Sequence, residues 1–206
     1  MYSVDIKYDG GMNMSNQDRS SRLVKLIVIA LMGAISLILF FISFPLPMLP
    51  PYLKVDFSDI PAIIAGIIFS PLAGILVILV KNGLYFVLSG ATDPIGVAAN
   101  FVAGSLFITP VAIMYHKMKN IKGIIYGLVI GTVVMAVTMG ILNYLVILPA
   151  YAMFVGMEMN ETIKWTTVIA GILPFNFIKG IIVSLLFVPV FFKLNEWIKE
   201  QRLKLV

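Results

Sequence analysis

Long apolar stretches run through this 206-residue chain, and they determine whether water or lipid surrounds it. The stretch at 23–44 can cross a bilayer, for which a helix needs about 20 residues. Hydrophobic residues make up 60% of the chain and charged residues 12%, whereas soluble domains have about 45–50% and about 25%. A sphere of this mass lacks the interior to hide so much apolar surface, so lipid must cover part of it. We therefore expect an all-α protein of the membrane.

The apolar stretches predict six transmembrane helices. Four prolines follow the first predicted helix, at positions 45, 47, 50 and 51. Because proline fixes φ, they predict an extended outer loop between the first and second helices. A turn at 90–94 and a polar loop at 149–162 separate later helices. Residues 1–20 are predicted to be a disordered cytoplasmic tail, and 21–206 a single six-helix substrate-binding domain. The predicted helices are 23–44, 58–70, 72–88, 97–115, 121–148 and 168–197.

Basic residues form three clusters, one before the first predicted helix, one between the fourth and fifth, and one at the end of the sixth. Six crossings place all three clusters on the same side, which the positive-inside rule makes cytoplasmic. Both termini are therefore predicted to be cytoplasmic, and His116 to be a solvated residue at that edge. The net charge of +5 reflects this orientation rather than a nucleic-acid partner. The clusters are Arg19, Arg22, Lys25; Lys117, Lys119, Lys122; and Lys193, Lys199, Arg202, Lys204.

Two lysines lie deep inside predicted helices, where a charge is expensive: Lys81 and Lys179. Pairing with Asp56, Asp59 or Asp93 would give Lys81 a structural role. Lys179 has no acidic residue in the fifth or sixth predicted helix to neutralise it, so we expect a ligand to be its partner. Four asparagines accompany the lysines, namely Asn82, Asn100, Asn143 and Asn176.

These asparagines can be packing contacts between helices, worth about 0.6 kcal/mol each, or ligand contacts. For Asn82 and Asn100 taken singly, packing is at least as good an explanation. Asn143, Asn176 and Lys179 together favour a ligand, because Asn176 and Lys179 share one helix face and all three fall toward the outer side.

An asparagine presents one donor edge and one acceptor edge, which match a cyclic imide, and a lysine adds donors for a carbonyl oxygen. The pattern therefore predicts a flat heterocycle, without choosing among several. Candidate apolar walls are Phe175, Phe177, Tyr144, Tyr151 and Trp165.

Several kinds of chemistry are missing from the sequence. It has no cysteine and no phosphate-binding Gly-x-x-x-x-Gly-Lys-Ser/Thr loop. We also expect no carboxylate pair at membrane depth, which argues against intramembrane hydrolysis and proton-coupled transport. A membrane-embedded enzyme is therefore disfavoured, and no metal or resident cofactor is expected.

Six short motifs together resemble the riboflavin-specific S components of energy-coupling factor transporters. The similarity covers nearly all of the chain after residue 21. The motifs are Pro50-Pro-Tyr-Leu-Lys-Val-Asp-Phe-Ser-Asp-Ile-Pro, Ser70-Pro-Leu-Ala-Gly, Val80-Lys-Asn, Ala99-Asn-Phe-Val-Ala-Gly, Ile141-Leu-Asn-Tyr and Gly171-Ile-Leu-Pro-Phe-Asn-Phe-Ile-Lys-Gly.

The resemblance implies a subunit in a prokaryotic plasma membrane that captures riboflavin from outside. It implies flavin contacts at Asn143, Asn176 and Lys179, with the outer loop around Leu53 and Lys54 closing over the ligand. Three further residues fit the family pattern with less defined roles: Lys81, Asn82 and Asn100. The sequence leaves open whether flavin mononucleotide is also accepted.

The resemblance also implies partners. A transmembrane coupling subunit would contact the small-residue face formed by Ala30 and Ala34, and two cytoplasmic ATPases would drive tilting of the subunit in the bilayer. The competing interpretation is a self-sufficient secondary transporter of a small heterocyclic vitamin, with Lys81 as its coupling residue.

Overall fold

The computed structural model describes residues 16–156 and 158–205, which form a bundle of helices. A short antiparallel pair of strands, β1 (Phe44–Pro45) and β2 (Lys54–Val55), closes the Pro-rich loop between the first two helices. The helices are α1 (Asn16–Phe41), α2 (Asp59–Ile68), α3 (Pro71–Leu88), α4 (Pro94–Met118), α5 (Ile121–Leu142), α6 (Leu148–Val155), α7 (Glu161–Thr166) and α8 (Leu173–Leu205). The first π segment (Asn143–Ile147) joins α5 to α6, and the second (Thr167–Ile172) joins α7 to α8.

Within the described ranges, five helical stretches are long and apolar enough to cross a membrane. The remaining apolar helix, α2, has 10 residues and is about 15 Å long, half of a crossing. The predicted all-α membrane fold is confirmed, while the direction in which the termini face stays a prediction. Helix α1 begins at Asn16, inside the predicted tail, whose residues 1–15 lie outside the described ranges.

The predicted polar loop at 149–162 is mostly helical, so that prediction was wrong. Pro149 lies inside α6, and the helix ends at Gly156, which adopts a positive φ of 72°. A proline ring usually clashes with the carbonyl four residues earlier. Here the first π segment precedes Pro149, and its wider i→i+5 turn avoids that clash. Pro174 follows the second π segment in the same way.

Glycines allow α4 and α5 to pack with their backbones in close contact. A Cβ added at Gly131 would lie 2.5 Å from the carbonyl oxygen of Phe107, and one at Gly127 would lie 2.5 Å from the Cα of Val111. Both distances are shorter than any real contact, so a side chain there would force the helices apart. These small residues therefore serve the packing of α4 against α5.

The Pro-rich loop, the α3–α4 turn and the α6–α7 connection lie together at one end of the bundle, which we call the loop end. The hydroxyl of Tyr151 in α6 donates to both carboxylate oxygens of Asp93 in the turn, at 2.7 and 2.8 Å. Pro50 and Leu53 of the loop lie against Gly171 of the second π segment. The Asp93 turn is therefore held beside α6 at the loop end.

The opposite end, which we call the basic end, carries the described basic clusters. The guanidinium of Arg202 lies 5.4 Å from the centre of the Tyr115 ring, and Lys25 lies over the ring of Phe69. These contacts hold the start of α1, the end of α4 and the end of α8 at the same end. Their grouping is the arrangement that an even number of crossings predicts.

His116 is half-buried, so the prediction of a solvated histidine was wrong. Its Nε2 lies 2.9 Å from the carbonyl oxygen of Gly66, and its Nδ1 lies 3.4 Å from Arg202. The reason is that α2 is short and ends inside the bundle, where its last carbonyls need donors. The histidine of α4 supplies one of them.

Candidate functional site

Four charged side chains meet inside the bundle near the loop end: Asp56, Asp59, Lys81 and Lys179. We call them the buried charge cluster. None of the four is more than 5% exposed, and their formal charges sum to zero. Burying a charge is costly unless an opposite charge lies beside it, so each of the four groups depends on the others.

Lys179 of α8 is neutralised by two carboxylates that come from the other half of the chain. Its Nζ lies 3.1 Å from Asp56 Oδ2 and 3.5 Å from Asp59 Oδ2. The expectation that Lys179 has only a ligand as partner was therefore wrong. The expectation of no carboxylate pair was also wrong for the interior of the bundle. Both errors arise because Asp56 lies in the loop, 123 residues away in sequence.

Asp56 is held in place by Ser58, the residue just before α2. Ser58 donates its backbone N–H to Asp56 Oδ1 at 2.9 Å, and its hydroxyl donates to the same oxygen. Its side chain does not cap the helix. Burial alone would raise the pKa of the Asp56 carboxyl, but Lys179, Lys81 and the Ser58 hydrogen bonds hold that pKa below its ordinary value. Asp56 is therefore ionised at neutral pH.

Lys81 of α3 joins the cluster through Ser58 and Asn100. Its Nζ donates to Ser58 Oγ at 3.0 Å and to Asn100 Oδ1 at 2.7 Å, and it lies 4.9 Å from the centre of the Phe40 ring. Two of the acidic partners predicted for Lys81 can now be located. Lys81 is linked to Asp56 through the hydroxyl of Ser58, whereas Asp93 accepts a hydrogen bond from Tyr151. These contacts assign Lys81 and Asn100 a structural part in the cluster.

Three asparagines are buried and bind the backbone of their own helices. The side-chain nitrogens of Asn82, Asn143 and Asn176 each donate to the carbonyl four residues earlier, at 2.8–2.9 Å. One such bond uses one of the two amide hydrogens, so the other hydrogen and the oxygen can still bind a ligand. Asn143 belongs to the first π segment, and Asn176 lies one turn after the second.

The outer loop covers the second π segment, which immediately precedes the part of α8 that contains Asn176. A Cβ added at Gly171 would lie 3.7 Å from Pro50 and 3.9 Å from Leu53, which is ordinary van der Waals contact. Leu53 therefore packs against the segment that precedes the predicted ligand residues of α8. Lys54, by contrast, is exposed in β2 and stays apart from the buried charges.

Two of the predicted aromatic walls lie elsewhere. Tyr144 and Trp165 pack with their ring centres 4.9 Å apart beside an apolar groove of about 260 Å³. The other lining residues include Ile141, Leu145 and Ile169, which are exposed along membrane-length helices. This groove therefore faces lipid, and Tyr151 is engaged by Asp93. Phe175, which is buried, and Phe177, which is half-buried, remain candidate walls.

Sequence reasoning missed Asp56 and Asp59 as partners of Lys179, and Ser58 as the residue that links Asp56 to Lys81. A charge count could have found the two aspartates, because two deep lysines require two counter-charges. Among the described residues, no group of three His, Cys, Asp or Glu side chains is arranged to hold a metal ion. The contacts within the buried charge cluster are hydrogen bonds and ion pairs.

Ala30 and Ala34 lie exposed on one side of α1, as a partner surface requires. Gly33, in the same turn, faces the bundle instead, since a Cβ added there would overlap the side chain of Val80. The exposed face is continued by large apolar side chains, namely Leu23, Leu26, Ile27, Leu31, Ile35 and Ile38.

Membrane-length helices around an enclosed, charge-balanced polar interior define a multi-pass membrane protein. The chain belongs to the family described as "ECF transporter, substrate-specific component", whose model matches residues 24–191. It is a transport component of the bacterial cell membrane rather than an enzyme.

The chain is similar to two curated transporters and one solved structure. It is 47% identical over 181 residues to the riboflavin transporter FmnP of Bacillus subtilis, covering 86% of this chain and 95% of that protein. It is 43% identical over 177 residues to the riboflavin transporter RibU of Staphylococcus aureus, covering 85% and 93%. The structure, reported as "Structure and mechanism of the S component of a bacterial ECF transporter", superposes with a TM-score of 0.74 at 42% identity and covers 86% and 99%.

Proposed function

We propose that this chain binds riboflavin in its interior, between Asn143, Asn176 and Lys179, beneath Leu53 of the outer loop. The observation that carries the proposal is that Asn176 and Lys179 are both buried on one face of α8, while the loop packs against the segment just before them. The names of the similar transporters support the choice of ligand.

The chemistry of riboflavin fits these groups. The imide edge of its ring has one N–H between two carbonyls, which an asparagine side chain can match, and the ammonium of Lys179 can donate to a ring oxygen or nitrogen. The ligand is uncharged, which suits an interior whose four charges already balance. Lys54 at the surface is the candidate contact for the phosphate of flavin mononucleotide. Lys81 and Asn100 support the site through Ser58.

We further propose that residues 21–206 act as one binding unit, oriented with both termini in the cytoplasm, that docks through Ala30 and Ala34 onto a transmembrane coupling subunit with two ATPases. Movement of the coupling subunit driven by ATP would tilt the chain until its site faces the cytoplasm. The exposed small residues of α1 support this arrangement, because they leave room for close approach of another helix.

A fluorescence titration of the purified protein tests the ligand. Free riboflavin fluoresces, and we expect the wild type to quench it on binding and Asn176→Ala to weaken the affinity about 5–10-fold, since one buried hydrogen bond is lost. The control is Asn195→Ala, which removes a side chain that binds Glu196 at the basic end and should leave the affinity unchanged. A wild type that does not bind riboflavin would refute the proposal.

The alternative of a self-sufficient secondary transporter is favoured by one observation, the buried carboxylate of Asp59, because such groups carry coupling ions in pumps. Riboflavin uptake into liposomes separates the two. We expect no uptake by this chain alone and ATP-dependent uptake with the coupling subunit and ATPases. Uptake by the chain alone would favour the alternative.

A further inference from the structure

The carboxylate of Asp59 is buried without a hydrogen-bond partner within the part of the chain that the structure describes. Asp59 is 1% exposed, and neither of its side-chain oxygens receives a hydrogen bond. Its contact with Lys179, at 3.5 Å, is an ion pair that is too long for a strong hydrogen bond. Gly104 of α4 allows close packing beside it, since an added Cβ would lie 3.3 Å from Oδ1 and 2.5 Å from the side chain of Ile78. The charge of Asp59 thus acts on Lys179 and on Lys81, while no hydrogen bond holds its oxygens in another direction.

Asp56 differs from Asp59 because its contacts are fully formed. One oxygen accepts from the backbone and hydroxyl of Ser58, and the other accepts from Lys179. Ser58 is itself fixed, because its carbonyl accepts from the hydroxyl of Ser36 in α1 at 2.8 Å. Asp56 is therefore a rigid acceptor, attached to α1 and α2, that reaches across to α8.

A lysine side chain is a flexible four-carbon stem with a point charge, so it makes a precise ligand contact only when the protein fixes it. The two carboxylates approach Nζ of Lys179 from the loop and from the first residue of α2. An ammonium group has three hydrogens. Even with two directed at the aspartates, one remains available for a ligand.

We propose that Asp56 and Asp59 are positioning residues of the binding site: they hold the ammonium of Lys179 in place, so that its free N–H is presented to the ligand beside Asn176. This inference rests on the proposed binding of riboflavin and adds two residues that do not themselves contact the ligand. It predicts that an aspartate in the loop affects affinity only through a lysine 123 residues away.

A double-mutant cycle on riboflavin affinity tests it. We compare wild type, Asp56→Asn, Lys179→Gln and the double variant by fluorescence titration. Asparagine keeps the shape of Asp56 and an acceptor for Ser58, but loses the charge that holds Lys179. We expect Asp56→Asn to weaken affinity about 10-fold or more, the effect of one charge-assisted hydrogen bond. In the Lys179→Gln background it should change affinity less than about two-fold.

The outcomes separate positioning from a merely structural role. An equal loss in both backgrounds, or no loss in the wild-type background, would overturn the inference. Glu196→Gln is the matched control, because it breaks an exposed lysine pair at the basic end and should leave affinity unchanged. If Asp56→Asn does not elute as a single species, the same cycle with Asp59→Asn decides, since its oxygens accept no hydrogen bond in this structure.

The proposed function and this inference fail in different ways. A wild type without riboflavin affinity would refute both. A wild type that binds, together with an additive cycle, would leave the proposed function intact and refute only the positioning role.

Discussion

Lys179 is at once the predicted ligand donor and the counter-charge of two buried carboxylates. The sequence identified it as a deep lysine that needs a partner, which is correct, but assigned that partner to a ligand. Local spacing along α8 could place Asn176 on the same face, whereas Asp56 comes from a loop whose path depends on the whole bundle. Asn176 and Lys179 could therefore be placed together from the sequence, whereas the carboxylates that hold Lys179 were visible only in the structure.

Removing Lys179 should harm folding as well as binding. Lys179→Ala leaves Asp56 and Asp59 with one buried negative charge unbalanced, which typically costs about 3–5 kcal/mol. Asn176→Ala loses a hydrogen bond to its own helix, worth about 1 kcal/mol. Thermal unfolding in detergent should therefore show a much larger drop in midpoint for Lys179→Ala. Equal drops for the two variants would mean that the buried charges are not paired as described.

The lowered pKa of Asp56 makes its contribution to stability depend on pH. Because its pKa in the folded protein lies below that in the unfolded chain, the contribution is complete above about pH 4 and is lost as the pH falls below that value. We expect the difference in unfolding midpoint between wild type and Asp56→Asn to be constant from pH 7 to 5. It should then narrow at lower pH. A difference that stays constant down to pH 3 would contradict the ion pair.

The helices themselves were easier to predict than their ends. Apolar length located every membrane-length helix, since the hydrocarbon layer demands it. Pro149 was read as the end of a helix, which holds for an ordinary α-helix, but a π segment ahead of it removes the clash. The wider turn depends on neighbours and leaves no clear signal in the sequence.

The contact between α4 and α5 should be intolerant of a single methyl group. Gly131→Ala places a Cβ against the carbonyl of Phe107, so we expect a destabilisation of about 1–3 kcal/mol from overpacking. Gly83 provides the control in α3, because no atom lies within 4 Å of an added Cβ. Gly83→Ala should be neutral or stabilise by up to about 1 kcal/mol, owing to better helix propensity. Thermal unfolding compares the two, and similar effects would argue against the close contact.

The molecule as a whole divides its surface between a loop end and a basic end. Charge counting along the sequence predicted this division, because crossing a membrane an even number of times returns the chain to the same side. The Asp93 turn could not be assigned in that way. A half-length helix such as α2 makes the number of membrane crossings before the turn ambiguous. The hydrogen bond from Tyr151 to Asp93 places the turn at the loop end.

The proposed orientation can be tested without background labelling, because the chain contains no cysteine. We expect Met48→Cys, at a fully exposed position in the loop, to react with a membrane-impermeant thiol reagent on intact cells. Lys122→Cys, at the basic end, should react only after the membrane is opened. The reverse pattern would show that the basic end faces outward.

The balance of the buried charges also bears on how the protein is made. Asp56, Asp59 and Lys81 are synthesised early, and on their own they carry one excess negative charge. Lys179 is added 98 positions after Lys81, in the final helix. The nascent chain must therefore keep that excess charge hydrated or near the bilayer surface until translation reaches α8. Completion of the last helix is then the event that allows the interior to close.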